Sequence, residues 1–237
     1  MTGVNIMKRI GIIGAMDEEV AFMKEIAEIE TVKNMLGLDF HVGKYAGNNV
    51  IIVKCGIGKV NAAACTQALI DRFDVDCIIN VGVAGAVYKE LSIGDIVVST
   101  DAVQHDMDVT PLGDPLGVIP RMDTSRFKAN EELIRKAVEA GSKLEGQKVF
   151  TGPVASGDQF VASSEVKNKI WNHFEAYCAE MEGAAIAHVC HLNNMPFVVI
   201  RSISDKADEQ ADMSFEEFTK IAVKNSSVIL ENMLNNI

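Results

Sequence analysis

The feature that most constrains this chain is the recurrence of short apolar runs rich in β-branched residues. They fall at Arg9 to Ile13, Val50 to Val53, Cys77 to Val81, Asp95 to Ser99, Lys148 to Pro153 and Phe197 to Ile203. Runs of this kind read as strands buried on both faces. Between several of them lie stretches with helical periodicity: Asp17 to Ile29, Gly58 to Phe73, Asn130 to Ala140, Met181 to Asn193 and Ser214 to Leu234. The alternation predicts an α/β layered fold. A length of 237 residues, 48% of them hydrophobic, suits a single domain, with residues 1–7 as an extension outside it. The stretch from His105 to Arg126 holds Pro111, Pro115, Pro120, Gly113 and Gly117 and reads as a long loop, either a lid, an interface segment or a plain connector.

Local signals refine the helix starts. Asp17 and Ser214 are each expected to cap a helix, with Glu217 completing a capping box. Gly56 and Gly58 open a helix directly after a strand, which predicts backbone donors free for a bound polar group.

Charge narrows the partners. A formal net charge of −11 repels phosphate backbones and anionic lipid, so neither nucleic acid nor membrane is expected, while a small neutral or zwitterionic substrate is compatible. The cysteines, Cys55, Cys65, Cys77, Cys178 and Cys190, are scattered through hydrophobic stretches without a CxxC pair. They read as small buried hydrophobes in a reducing compartment, which predicts a cytoplasmic protein. Lys8 and Arg9 precede an apolar run, but Asp17 to Glu19 end it too early for a signal peptide.

Three acidic clusters carry chemistry. Gly11 to Met16 lacks the GxGxxG spacing of a dinucleotide site. It leads instead into Asp17, Glu18 and Glu19, at a strand's C-terminal end where open α/β sheets bind ligands. The plainer reading is acids complementing a helix dipole. Glu180-Met181-Glu182 opens a helix that is otherwise small or apolar, which suggests carboxylates aimed into a pocket and suited to paired ribose hydroxyls. Arg201-Ser-Ile-Ser204-Asp205 closes an apolar strand, where burial would raise the aspartate pKa and let it donate a proton near neutrality. A turn-capping aspartate is the alternative. His188 and His191 have the wrong spacing and no partner carboxylate for a zinc motif, and no metal is expected. Trp171 has no interpretable signature.

Taken together, Ile10 to Glu19, Gly56-Ile-Gly-Lys59-Val-Asn-Ala-Ala, Asn80-Val-Gly-Val-Ala-Gly85, Gly94 to Ser99, Ser156-Gly-Asp-Gln-Phe160, Glu180-Met-Glu182 and Arg201 to Asp205 resemble the 5′-methylthioadenosine/S-adenosylhomocysteine nucleosidases. The resemblance implies a nucleoside phosphorylase-like fold, a three-layer α/β/α sandwich around a mixed, partly barrel-like sheet, in a homodimer without a cofactor. It also implies roles. Glu19 matches the general base that activates water, Asp205 the acid that protonates adenine N7, and Glu182 the ligand of the ribose hydroxyls. Arg201 would support that glutamate and the water, with Ser204 beside the acid. Phe160 would stack on the base, and the backbone of Val161 would read its Watson–Crick edge. Gly85, Ile57, Met181 and Met16 would line the rest, and Phe215 would close the 5′-thio end from the neighbouring subunit. The sequence departs from the pattern at Val83, where many relatives carry a serine that helps hold water.

These roles agree with general chemistry. Protonating N7 turns adenine into a neutral leaving group, and general acid help of this kind is worth about two to four orders of magnitude. Carboxylates then stabilise the oxocarbenium-like ribosyl cation. An apolar 5′ pocket favours a thioether. The competing readings are a purine nucleoside phosphorylase, which needs cationic or hydroxyl donors for phosphate, a non-catalytic adenine-nucleoside sensor, and a flavodoxin-like or NAD-binding domain without its glycine fingerprint.

Overall fold

A computed structural model describes residues 9–144 and 146–237; the expected extension at residues 1–7 lies outside the described residues. Its strands are β1 (Arg9–Gly14), β2 (Glu28–Met35), β3 (Leu38–Tyr45), β4 (Asn48–Lys54), β5 (Cys77–Ala86), β6 (Ile96–Gln104), β7 (Arg126–Lys128), β8 (Val149–Ser156), β9 (Cys178–Glu180) and β10 (Phe197–Asp205). The helices are α1 (Asp17–Ile26), α2 (Lys59–Phe73), α3 (Glu131–Gly141), α4 (Ser164–Phe174), α5 (Gly183–Leu192) and α6 (Ala211–Leu234).

The strands form one mixed sheet in the order β10-β6-β8-β9-β5-β1-β4-β3-β2, with β7 on the edge of β6. β10 also pairs with β5 in parallel, so β5, β10, β6, β8 and β9 close into a ring. β1, β4, β3 and β2 continue the sheet outward from β5. The predicted α/β/α layering with a mixed, partly barrel-like sheet is therefore present.

Strand alternation builds the layers. On β4, Val50 and Ile52 pack with α1, α3 and α6 through Val20, Met23, Leu133 and Ile229. Ile51 and Val53 point the other way, into a core shared with α2 and α5 through Cys65, Leu69, Ala184 and Ile186. Each central strand feeds two cores, which explains its near-continuous apolar run. Cys55, Cys65, Cys77, Cys178 and Cys190 are all buried, and none of them forms a disulfide. Among the described residues no helix is long and apolar enough to cross a membrane.

Several expectations need correction. The first helix stops at Ile26 rather than Ile29, because a hairpin begins at Glu28. Its turn uses Leu36 and Gly37 with positive φ, the geometry of a tight hairpin, and β2 is mostly exposed, so no apolar alternation announced it. Asp17 does not cap α1. The N-cap is Met16, and Glu19 reaches back to its backbone while Asp17 pairs with Lys54. The last helix begins at Ala211, which places Ser214 inside it rather than at its cap. α4 carries only Ile170 and Phe174 as buried apolar residues. The segment from His105 to Arg126 is irregular apart from a short 3-10 turn at Thr110–Leu112 and Arg126 itself, which opens β7.

Candidate active site

The C-terminal ends of β1, β5 and β10 and the N-termini of α1, α5 and α6 surround a cavity of about 500 Å³. Met16, Glu19, Ile57, Gly85, Phe160, Met181, Glu182, Ser204, Asp205 and Phe215 all line it. Residues from distant parts of the chain thus share one space, as the three acidic clusters required.

Glu19 is the third residue of α1 and is almost fully buried. Its Oε2 accepts hydrogen bonds from Ala15 N at 2.6 Å and Met16 N at 3.0 Å, satisfying free donors at the helix start. Oε1 accepts from Val83 N on β5 at 3.1 Å. Burial raises its pKa, opposed by the Arg201 charge and these three N–H groups. Val83 thus contributes its backbone to the carboxylate, whereas its side chain brings no hydroxyl to the cavity.

Asp205 ends β10. The register slips by one residue between Ile203 and Asp205, a bulge that lets both Ser204 and Asp205 line the cavity where regular alternation would send them to opposite faces. Asp205 Oδ2 accepts from Ser204 Oγ at 2.9 Å and Oδ1 from Ala207 N at 2.8 Å. Burial is the main cause that lifts its pKa, these two bonds opposing it.

β5 runs beside both carboxylates and carries a glycine at each. A Cβ on Gly82 would stand 2.5 Å from Glu19 Oε1, and one on Gly85 would stand 2.6 Å from Asp205 Oδ1. Three residues of strand separate these contacts by about 10 Å, leaving the space between them for a ligand. Gly85→Ala is expected to lower turnover on the order of a hundredfold, since the resemblance implies Asp205 as the acid and displacing such a group by an ångström costs that much. Steady-state kinetics and the melting temperature check it; unchanged turnover in a folded variant would refute the close-packing argument.

Glu182, at the N-cap of α5, accepts a hydrogen bond from Gly58 N at 2.9 Å. Burial, reinforced by the Glu180 charge, pushes its pKa up to about 7. The donors at Gly56 and Gly58 expected to await a ligand are therefore partly used inside the protein: Gly58 N serves Glu182 and Lys59 N serves Asp158.

The paired acids of Glu180-Met181-Glu182 part company. Glu180 touches the cavity wall, but its carboxylate is bound to Arg201, to Ser156 and to the N–H groups of Glu182 and Gly183. Arg201, placed by resemblance among the substrate ligands, is buried behind the wall and bonds to Glu180 and to Asn80 Oδ1 at 2.5 Å. Its charge reaches Glu19 and Glu182 through space. The side chain of Val161, next to Phe160, packs with Ile170 and Phe174 in a separate core, while the role that the resemblance implies for this residue is one of its backbone.

Phe215 corrects the resemblance in another respect. It closes the cavity of its own chain, edge-on to Phe160 with ring centroids 5.7 Å apart, where a contribution from the neighbouring subunit was expected. Asn80, Ser156, Gly82 and Asp212 were not singled out from sequence, although the first three stand inside quoted motifs; small polar residues and glycines in buried strands carry no signal of their own. The histidines raised as a metal pair are occupied separately. His188 stacks on Phe127 at 4.6 Å and His191 approaches Asp123 at 3.3 Å. Trp171 stacks on Tyr88.

Residues 9–235 match the model of the phosphorylase superfamily, and this fold, with its site at the strand ends, defines that class. A 5′-methylthioadenosine/S-adenosylhomocysteine nucleosidase of Anoxybacillus flavithermus is 42% identical over 229 residues, covering 96% of this chain and 98% of the relative. The crystal structure of the nucleosidase of that name from Neisseria meningitidis, in complex with methylthio-immucillin-A, is 41% identical with a TM-score of 0.92, covering 98% of this chain and all of that one. A futalosine hydrolase of Helicobacter pylori is 36% identical with a TM-score of 0.92, covering 98% and 99% of the two chains. The chain belongs to the 5′-methylthioadenosine/S-adenosylhomocysteine nucleosidase family.

Proposed function

We propose that this chain hydrolyses the bond between adenine and ribose in 5′-methylthioadenosine and S-adenosylhomocysteine. The observation that carries this reading is the charge of the cavity wall. Its described lining residues include Glu19, Glu180, Glu182, Asp205 and Asp212 and no lysine, arginine or histidine. A phosphate dianion meets repulsion there, whereas a ribosyl cation is stabilised. Water suits this wall as nucleophile better than phosphate does.

In the proposed reaction Asp205 gives its proton to adenine N7 as the bond from C1′ to N9 breaks. The electron pair leaves with adenine, which departs neutral. Glu19 takes a proton from water as the water oxygen bonds to C1′. Glu182 accepts from the ribose hydroxyls. Phe160, Val161, Met181, Ile57, Met16 and Phe215 complete the binding of base and thioether, and Arg201 acts through Glu180 and its through-space charge. The whole span from Arg9 serves as one domain, in a cytoplasmic homodimer.

The test is release of adenine from methylthioadenosine in phosphate-free buffer, with futalosine as a parallel substrate. Release independent of phosphate supports the reading. Dependence on phosphate would make the protein a phosphorylase, and binding without adenine release would make it a sensor.

The raised pKa values set the expected pH profile. Glu19 works as a carboxylate, so activity falls as pH drops through its raised value. Asp205 works protonated, so activity falls as pH rises through its own. The expected kcat/KM profile is a bell, with its acidic limb above the ordinary glutamate range; a flat profile from pH 4 to 9 would remove both assignments.

A further inference from the structure

Glu182 accepts a hydrogen bond from Gly58 N, and Gly58 belongs to the turn between β4 and α2. Besides the bonds from Cys55 N to Gly14 O at 2.9 Å and from Asn61 Nδ2 to Ile57 O at 2.7 Å, a closed ring of polar contacts ties that turn to two further segments. Lys59 N donates to Asp158 Oδ1 at 2.8 Å, Asp158 N donates to Asp106 Oδ2 at 2.9 Å, and Asp106 Oδ1 accepts from Lys59 Nζ at 2.7 Å. Three remote segments, the β4–α2 turn, the end of β6 and the loop after β8, are tied by three bonds.

The ring reaches the cavity from two sides. Ile57 and Gly58 precede Lys59, and Phe160 follows Asp158 by two residues, so the parts of the cavity lining that Ile57 and Phe160 form are joined through it. Lys59 Nζ also contacts Gln104 Oε1 at 3.2 Å, and the Gln104 amide meets His188 Nδ1 at 3.2 Å on α5, the helix that Glu182 begins. The network therefore bears on the donor to Glu182 and on the helix that carries it. Lys59 and Asp106 side chains are only 19% and 15% exposed, which shields the pair from the screening that weakens surface ion pairs.

We propose that Lys59, Asp106 and Asp158 are positioning residues that hold the Gly58 turn against Glu182 and so set the ribose-binding carboxylate. The proposal rests on the nucleosidase reading for its effect on substrate, but its structural half does not.

Two measurements separate the halves. In the ligand-free protein, Lys59→Met is expected to lower hydrogen-exchange protection of the Gly58 amide about tenfold, the loss of one charge-supported contact network, with the amides of β1 and β5 unchanged. Lys59→Arg, which keeps a cation in reach of Asp106, should restore most of it. Unchanged Gly58 protection in Lys59→Met overturns the proposal whether or not the protein has any activity.

The second measurement is a cycle with Glu182→Gln. Lys59→Met alone should weaken binding of a methylthioadenosine analogue with intact ribose hydroxyls about tenfold and leave free adenine within about twofold. In the Glu182→Gln background the same change should add less than about twofold. Equal losses for adenine and the riboside, or full additivity with Glu182→Gln, would mean a general structural effect and defeat the proposal. A wild-type protein that binds the analogue without releasing adenine would count against the nucleosidase reading alone.

Discussion

Asp205→Asn is expected to reduce adenine release by about two to four orders of magnitude while leaving the fold intact. Asparagine keeps the shape, its Oδ1 can still accept from Ala207 N, and its Nδ2 can donate to Ser204 Oγ, whose hydroxyl turns to suit, so the bulge at the end of β10 has no reason to move. What it lacks is a proton to give. Without protonation adenine must leave as an anion, and the remaining carboxylates of the wall oppose a second negative charge nearby. The alkaline limb of the pH profile should vanish in this variant because the group that produced it is gone. Glu19→Gln should cost a similar factor and remove the acidic limb instead. Single-turnover rates with methylthioadenosine, read with circular dichroism, check both; near-normal rates in either would move the chemistry elsewhere.

The largest stability effect is expected at Arg201. Its guanidinium and the Glu180 carboxylate are 2% and 3% exposed and make a direct ion pair. Arg201→Met leaves Glu180 buried without its cation, at a cost of about 3–5 kcal/mol. For a domain of this size that corresponds to a fall in Tm on the order of 10 °C. Glu180 keeps its bonds from Ser156 and from the N–H groups of Glu182 and Gly183, so the penalty comes from its uncompensated charge and from buried Asn80 Oδ1, which loses its Arg201 donor. Adding Glu180→Gln should therefore recover much of the stability. Activity should not return with it, because the positive charge that opposes protonation of Glu19 is also lost. Thermal melts of the single and double variants check this, and a single variant as stable as the parent would show that the pair contributes little.

Much of this was open to reading because the chemistry lies where strands end. β1 stops at Gly14, just before the Asp17 to Glu19 cluster, and β10 ends on Asp205, so both acids stand at the C-terminal edge of the sheet, where α/β sheets bind their ligands. Helix boundaries were less visible. The helical period of α1 continues into β2, because a strand with exposed side chains has no apolar alternation to distinguish it.

By itself the sequence determined the layered α/β class and the acids at strand ends and a helix mouth, because both follow from residue type and periodicity, while their service in one apolar-walled site came from the resemblance of the motifs taken together. Tertiary structure alone decided how the acids divide their work. Glu180 and Glu182 stand two residues apart, yet one is buried against Arg201 and the other faces the cavity, which depends on β10 and Gly58 rather than on local pattern. The same holds for Gly82 and Gly85, whose importance comes from what passes within 3 Å of them. Phe215 likewise belongs to its own chain's cavity because α6 folds back over it. Contacts between segments distant along the chain leave no trace in spacing, and it is such contacts that separate a structural charge from one available for chemistry.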